Sequence, residues 1–165
     1  MSSLIMNNVV PKKTMREIQS RTLNELASIL KLSFGPDGSN TCVKKEGALS
    51  RYTKDGHTII GALHYNGIIE QSIKDDVESI TRHIVKTVGD GTTSAVILSS
   101  IIFNCIAKLE DDDNYKPAEI IKILQKVVDG VKARIKNSAT ELTNTDVYDI
   151  AMISTNGNEF ISNTL

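Results

Sequence analysis

The chain is 165 residues long, enough to bury a core of its own. Its 19 basic and 20 acidic side chains nearly cancel, which excludes a global field of the kind that draws a protein to nucleic acid or to a strongly acidic partner. Hydrophobic residues make up 40% and aromatics only 4%, with no Trp; this mix excludes disorder and favours aliphatic helix packing.

The opening MSSLIMNNVVPKK has neither the basic start nor the long apolar stretch of a signal peptide, and reads as an extended arm ending at Pro11. Thr14 and Glu17 have the spacing of a capping box, so a helix is expected from Thr14. Its apolar positions Ile18, Leu23, Leu26, Ile29, Leu30 and Leu32 follow the helical period, and Phe34-Gly35-Pro36-Asp37-Gly38 stops it. Two short β-type runs, 41–46 and 51–54, flank a small-residue turn and predict a hairpin closed by Asp55-Gly56. The apolar run from Thr58 to Leu63 fits a turn of helix or a strand equally well.

After the turn signal Asn66-Gly67, a helix is expected from about Ile69 to Val88, with Ile73, Val77, Ile80, Ile84, Val85 and Val88 apolar. A second follows Gly89-Asp90-Gly91 and runs to about Leu109; it is apolar on most sides and is expected to be central. No purely apolar run approaches the length of a membrane span. The acidic run 110–113 reads as a solvated loop. Pro117 suits the first turn of another helix, apolar at Ile120, Ile121, Leu124, Val127, Val128, Val131 and Ile135 and ending at Asn137-Ser138. Asn144 or Thr145 is expected to cap a last helix through Ile150 and Met152. Cys42 and Cys105 are far apart in apolar contexts, and are expected to be buried free thiols in a reducing compartment. His57, His64 and His83 have no metal-ligand spacing, so structural roles are expected for them. The chain stops at Leu165 without a terminal glycine or charged tail, as if a larger design were divided there.

Three glycine-marked turns carry the chemistry: Ser33-Phe34-Gly35-Pro36, Thr53-Lys54-Asp55-Gly56 and Gly89-Asp90-Gly91-Thr92-Thr93-Ser94. Taken singly they are a helix stop, a hairpin exit and a helix cap. Taken together they hold what a magnesium-nucleotide site needs. A helix N-terminus offers backbone N–H groups and its dipole to phosphate oxygens. Asp90 offers a hard oxygen ligand to magnesium, and Lys54 offsets phosphate charge. No Gly-x-x-x-x-Gly-Lys-Ser/Thr run is present, which excludes the common P-loop, and no dinucleotide fingerprint appears.

In order and spacing these turns, LSFGPDGSN, RYTKDG and VGDGTTSAVIL, resemble the N-terminal part of a group I, GroEL-like chaperonin subunit. Lys116-Pro117 opening a helix and AMISTNGNE near the end add to the likeness, which runs from about Thr14 onward. Lys54 favours group I over the archaeal and eukaryotic group, where Asn is usual.

The resemblance implies a mainly α fold: an incomplete chaperonin equatorial-domain-like helical bundle with a small β-hairpin. Residues 1–137 would be the N-terminal half of the ATP-binding domain and 138–165 the start of the intermediate domain. It implies ATP and Mg2+ as cofactors, with Asp90 as the magnesium ligand and Gly91, Thr92, Thr93 and Ser94 around the phosphates. Ser33, Phe34, Gly35 and Pro36 would line the nucleotide, Lys54 would lie near the γ-phosphate, and Asp55 would assist hydrolysis.

The implied partners are other chaperonin subunits, in a ring or as a complementary chain, with the hairpin reaching a neighbour. Unfolded polypeptide would be met only through an apical domain that this sequence lacks. Neither nucleic acid nor membrane is implied, and the location implied is cytoplasmic. Phe34 replaces the usual Leu, Ser94 a frequent third Thr and Asp37 a common Lys. Family subunits are much longer, and their returning segments supply a further catalytic carboxylate and the base contacts. Three readings follow: an ATPase portion that is inactive alone, a truncated or split subunit that modulates rings without being an enzyme, and an unrelated helical domain whose turns are structural only.

Overall fold

The computed structural model describes residues 10–44, 47, 49–110, 116–155 and 157–164. The acidic run 110–113 falls largely outside the described residues. The order of elements is α1 (Lys12–Lys31), β1 (Thr41–Val43), β2 (Arg51–Thr53), α2 (Gly56–Ile60), α3 (Ile68–Thr87), α4 (Thr92–Glu110), α5 (Pro117–Ser138), α6 (Asn144–Ser154) and α7 (Glu159–Ser162). The fold is mainly helical with one two-stranded antiparallel sheet, as expected. The chain divides into two compact units, residues 1–115 and 116–165.

In the first unit α1 starts two residues before the anticipated capping box. Pro11 precedes it and makes no side-chain cap, so Thr14 lies inside the first turn. Leu26 and Leu30 are fully buried, with Ile59 and Ile60 of α2, Val77 of α3, Val96 of α4 and Val43 of β1 around them. Leu23 and Ile29 pack at the margin, and Leu32, past the helix end, is exposed. The contact between α1 and α4 is half polar: Ser100 Oγ and Asn104 Nδ2 both donate to Asn24 Oδ1, at 2.8 and 2.7 Å. Ser20 Oγ donates to Asn104 Oδ1 at 2.5 Å. Thr22, wholly buried on α1, has a hydroxyl with no hydrogen-bond partner.

The strands pair Thr41 with Thr53, Cys42 with Tyr52 and Val43 with Arg51. The ambiguous run after Asp55 is helix, because Asp55 caps it and Ile59 and Ile60 fall on one buried face. On α3 Lys74 is buried, and its ammonium is held by Glu78 Oε2 at 2.5 Å; Glu78 Oε1 also accepts from Arg82 at 3.0 Å. The Lys74 hydrogen bond leads in holding the Glu78 carboxyl below its ordinary range, against the opposing effect of burial. Arg21 on α1 reaches Glu70 on α3 at 2.8 Å.

Three further sequence expectations change. Cys42 and Cys105 are both free but exposed, because Cys42 alternates away from buried Val43 and Cys105 lies on the open side of α4. α4 is buried on one side only: Thr92, Val96 and Ser100 are covered, while Leu98, Ile101, Ile102 and Leu109 are exposed. The stretch Thr92–Leu109 also has the length and composition to cross a membrane, although it packs against α1 and α3 here. The third change is in the second unit, where the cap of α6 is Thr143, in a reciprocal capping box with Asp146.

α5 opens on Pro117 as expected. Along it Ile121, Ile123, Val127, Val128, Val131 and Ile135 are exposed. α6 ends at a turn in which Gly157 has φ of 81° and its N–H donates to Met152 O at 2.8 Å. Thr155 and Ser162 then share a hydroxyl hydrogen bond of 2.6 Å beside α7.

Candidate functional site

The second and third glycine-marked turns meet. Asp55 leaves β2 with its N–H donating to Thr53 Oγ1 at 3.0 Å, and then caps α2. Its Oδ2 accepts from Thr58 N at 2.8 Å and from Thr58 Oγ1 at 2.5 Å. That leaves Oδ1 directed at the start of α4, where Thr92 Oγ1 lies 3.5 Å away. Gly56 is buried against the same helix end. A Cβ built there would sit 2.6 Å from Thr93 Oγ1 and 3.0 Å from both Thr92 Oγ1 and Thr93 N. Glycine is what allows α2 to approach α4 so closely.

Gly89 and Gly91 have φ of 90° and 88°, in the left-handed region that side chains resist. Between them Asp90 is exposed, and its Oδ1 accepts from Gly91 N at 2.6 Å. The helix closes at once, with Ala95 N–H donating to Gly91 O at 2.9 Å. Thr92 is buried, Thr93 half-buried and Ser94 exposed, so the hydroxyls fan from the core outward around the positive end of a nineteen-residue helix. Lys54 is exposed and makes no ion pair among the described residues.

Ser33-Phe34-Gly35-Pro36 is folded onto the end of α1. Ser33 is buried, with Oγ donating to Leu30 O at 3.0 Å, while Phe34, Gly35 and Pro36 are exposed. Ser39 N–H closes the loop on Leu32 O at 2.8 Å. Among the described residues no hydrogen bond joins this turn to the other two.

Burial raises the affinity of the Asp55 carboxyl for its proton. The hydrogen bonds from Thr58 and His57, together with the charge of His57, outweigh that effect and hold the carboxyl below its ordinary value. Asp55 therefore stays a carboxylate through the neutral range. Among the described residues no group of three His, Cys, Asp or Glu side chains forms a metal centre. The donor set instead suits a hard cation that takes one carboxylate, such as that of Asp90, and completes its shell with phosphate oxygens and water.

Thr58 was not singled out in the sequence, and His57 was expected only in a structural role. The Asp-x-x-Thr spacing was a legible cap signal for Thr58. His57 Nδ1 lies 2.9 Å from Thr81 Oγ1 on α3, a partner that no local pattern identifies. A cavity of about 300 Å3 beside α2 is lined by Val43, Arg51, His57, Thr58 and Glu78 among others. A larger one, about 690 Å3, lies between α1 and the segment 63–65 and touches none of the three turns.

Residues 26–165 match the TCP-1/cpn60 chaperonin family. The chain is 24% identical over 150 residues to chaperonin GroEL 1 of Prochlorococcus marinus (strain MIT 9515), a match covering 91% of this chain and 25% of that protein. Its fold is similar to that of the chaperonin gp146 from the bacteriophage EL 2 (Pseudomonas aeruginosa), crystallised in the presence of ATP-BeFx. The TM-score is 0.75 at 19% identity, over 92% of this chain and 27% of that one. The chain thus spans about a quarter of the length of these relatives. Since the family match includes the last turns of α1, the joined turns at Asp55 and Asp90 and everything that follows, this chain belongs to the TCP-1/cpn60 chaperonin family.

Proposed function

We propose that this chain is the ATP-binding portion of a group I chaperonin subunit, which assists protein folding through ATP binding and hydrolysis in a ring. The observation that carries the reading is the meeting of two turns: Asp55 Oδ1 faces Thr92 Oγ1 at 3.5 Å, at the N-terminus of the helix that Asp90 and Gly91 introduce. A carboxylate beside a phosphate-binding helix end is repelled by the anion unless a cation joins them. Asp90 therefore holds Mg2+, Gly91 to Ser94 hold the phosphates, Lys54 offsets their charge and Asp55 orients the attacking water. The Ser33–Pro36 turn lines the nucleotide from the end of α1. Residues 1–137 serve as half of the ATP-binding domain and 138–165 as the start of the intermediate domain, in a cytoplasmic ring of like subunits. Unfolded polypeptide is met through an apical domain outside these residues.

Phosphoryl transfer needs positioning and charge stabilisation from several sides, and these turns supply one side. The chain alone is therefore expected to turn over little or no ATP. The exposed apolar row Leu98, Ile101, Ile102 and Leu109 on α4 favours a second reading, a subunit piece that docks into rings without being an enzyme.

One experiment separates the readings: purify the chain free of other polypeptides, then measure magnesium-dependent nucleotide binding and phosphate release, alone and with complementary chaperonin segments. The enzyme-portion reading expects turnover only in the complemented form, lost in Asp90→Ala. Complementation without turnover supports the docking reading. Robust turnover by a monomer, lost in Asp90→Ala, would reveal a complete enzyme, and unchanged turnover in a complemented Asp90→Ala would refute the magnesium assignment.

A further inference from the structure

α2 is five residues long, too short to hold its own orientation, yet Asp55 depends on it. Ile59 and Ile60 anchor it in the apolar core, but apolar burial is non-directional and leaves the roll of a single turn loosely set. Among the described residues one side-chain hydrogen bond reaches α2 from α3: His57 Nδ1 to Thr81 Oγ1, 2.9 Å, at a threonine that is wholly buried. Asp55, capping the first turn, faces the start of α4, whereas His57 inside that turn faces α3.

The proton on this bond is assigned by its neighbours. Thr81 has one hydroxyl hydrogen, and Glu78 O, 2.9 Å away, can only accept it. With that hydrogen on Glu78 O, Thr81 Oγ1 accepts from His57, which places the proton on Nδ1 and leaves Nε2 as the bare nitrogen when the ring is neutral. Around α2 the charged groups are Arg51 on β2, Asp55 on α2 itself and Lys74, Glu78 and Arg82 on α3; Lys74 and Arg82 are both paired with Glu78.

We propose that His57 is a positioning residue: its Nδ1–H, seated on the Thr81 hydroxyl, holds α2 in the orientation that aims Asp55 Oδ1 at Thr92. The importance of that aim for turnover rests on the nucleotide reading above; the tether itself does not.

The test uses the full chain without nucleotide. Nitrogen chemical shifts of the His57 ring report the tautomer. Hydrogen exchange of the Thr58 amide, which donates to Asp55 Oδ2, reports the aim. The expected result is an Nδ1-protonated ring, with exchange at Thr58 faster by roughly 2- to 10-fold in His57→Ala. Amides of Leu26 and Leu30 should be unchanged. His57→Asn, which keeps a donor near the Nδ1 position, should restore protection. Thr81→Val, close in shape to the parent, serves as the second variant should His57→Ala fold poorly, and should reproduce the loss. An Nε2-protonated ring overturns the proposal. So does exchange that rises equally at Thr58, Leu26 and Leu30, which would mean general destabilisation. A magnesium-ATP titration of the chain complemented with chaperonin segments keeps the two readings apart. If none binds there while the exchange pattern of the chain alone holds, the tether is supported and the nucleotide reading fails.

Discussion

Replacing Gly56 with alanine tests whether the two turns are joined as described. The new Cβ would lie 2.6 Å from Thr93 Oγ1 and 3.0 Å from Thr93 N. The hydroxyl can rotate away, but the backbone nitrogen of α4 can move only with its helix. Overpacking of this kind costs about 1–3 kcal/mol. Gly56 does not need a left-handed backbone, so alanine also gains some helix preference, at most the roughly 0.5–1 kcal/mol of a helix interior because Gly56 opens α2. Gly130, inside α5, provides the control, because a Cβ there meets nothing within 4 Å and φ is again ordinary. Gly130→Ala should therefore be stabilising by about 0.5–1 kcal/mol. The difference between the two variants is then mainly the clash, about 1–3 kcal/mol. Urea unfolding of each variant, followed by signals from its own unit, gives that difference from the midpoints. If Gly56→Ala stabilises as much as Gly130→Ala, α2 does not press on α4 and the site loses its geometric basis.

Thr22→Val keeps the shape of a buried side chain and removes a hydroxyl with no partner, so it should stabilise the first unit by about 1 kcal/mol, read from its urea midpoint. The Asp55 carboxyl is held below its ordinary value in the folded chain. The stability this lends is present above the ordinary aspartate value and is lost as pH falls through the lower folded one. Unfolding midpoints measured from about pH 5 to 2.5 should therefore fall less steeply in Asp55→Asn than in the parent; equal slopes would remove Asp55 from the acid response. Phosphate release by the purified chain with magnesium and ATP should stay at background, whereas a complemented sample should show turnover that Asp90→Ala abolishes.

Much of the fold was legible because its signals are local. Helical-period apolar residues placed α1, α3, α4 and α5 to within a few residues, and the turn between two β-type runs placed the hairpin. Local patterns failed where a neighbouring residue or a distant segment overrides them. Thr14 and Glu17 had capping-box spacing, yet the chain was already helical from Lys12, directly after Pro11. Cys42 looked buried by its neighbours' composition, yet strand alternation sent Val43 inward and Cys42 out. At the site, glycines and hydroxyls marked the two turns that meet, but the sequence held no sign that Gly56 would press on Thr93. Nor did it point to the His57–Thr81 bond, because its partners are 24 residues apart on different helices.

α4 shows most clearly why composition alone misleads. Its apolar content suggested a helix covered on every side, but the face it buries mixes Val96 with Thr92 and Ser100, and at the exposed margin of that face Asn104 donates to Asn24. Leu98, Ile101, Ile102 and Leu109 point the other way, 38–56% exposed. A contact that is partly polar toward α1, with an apolar row toward solvent, departs from the usual arrangement of a surface helix. The polar contact fixes how α1 and α4 register, since each amide and hydroxyl has a specific partner. The apolar row has no directional preference and gains only when something covers it. On the proposed function, the helix whose N-terminus meets the phosphates is the same helix whose length offers a docking face, and covering that row and completing the far side of the nucleotide site are consequences of one association.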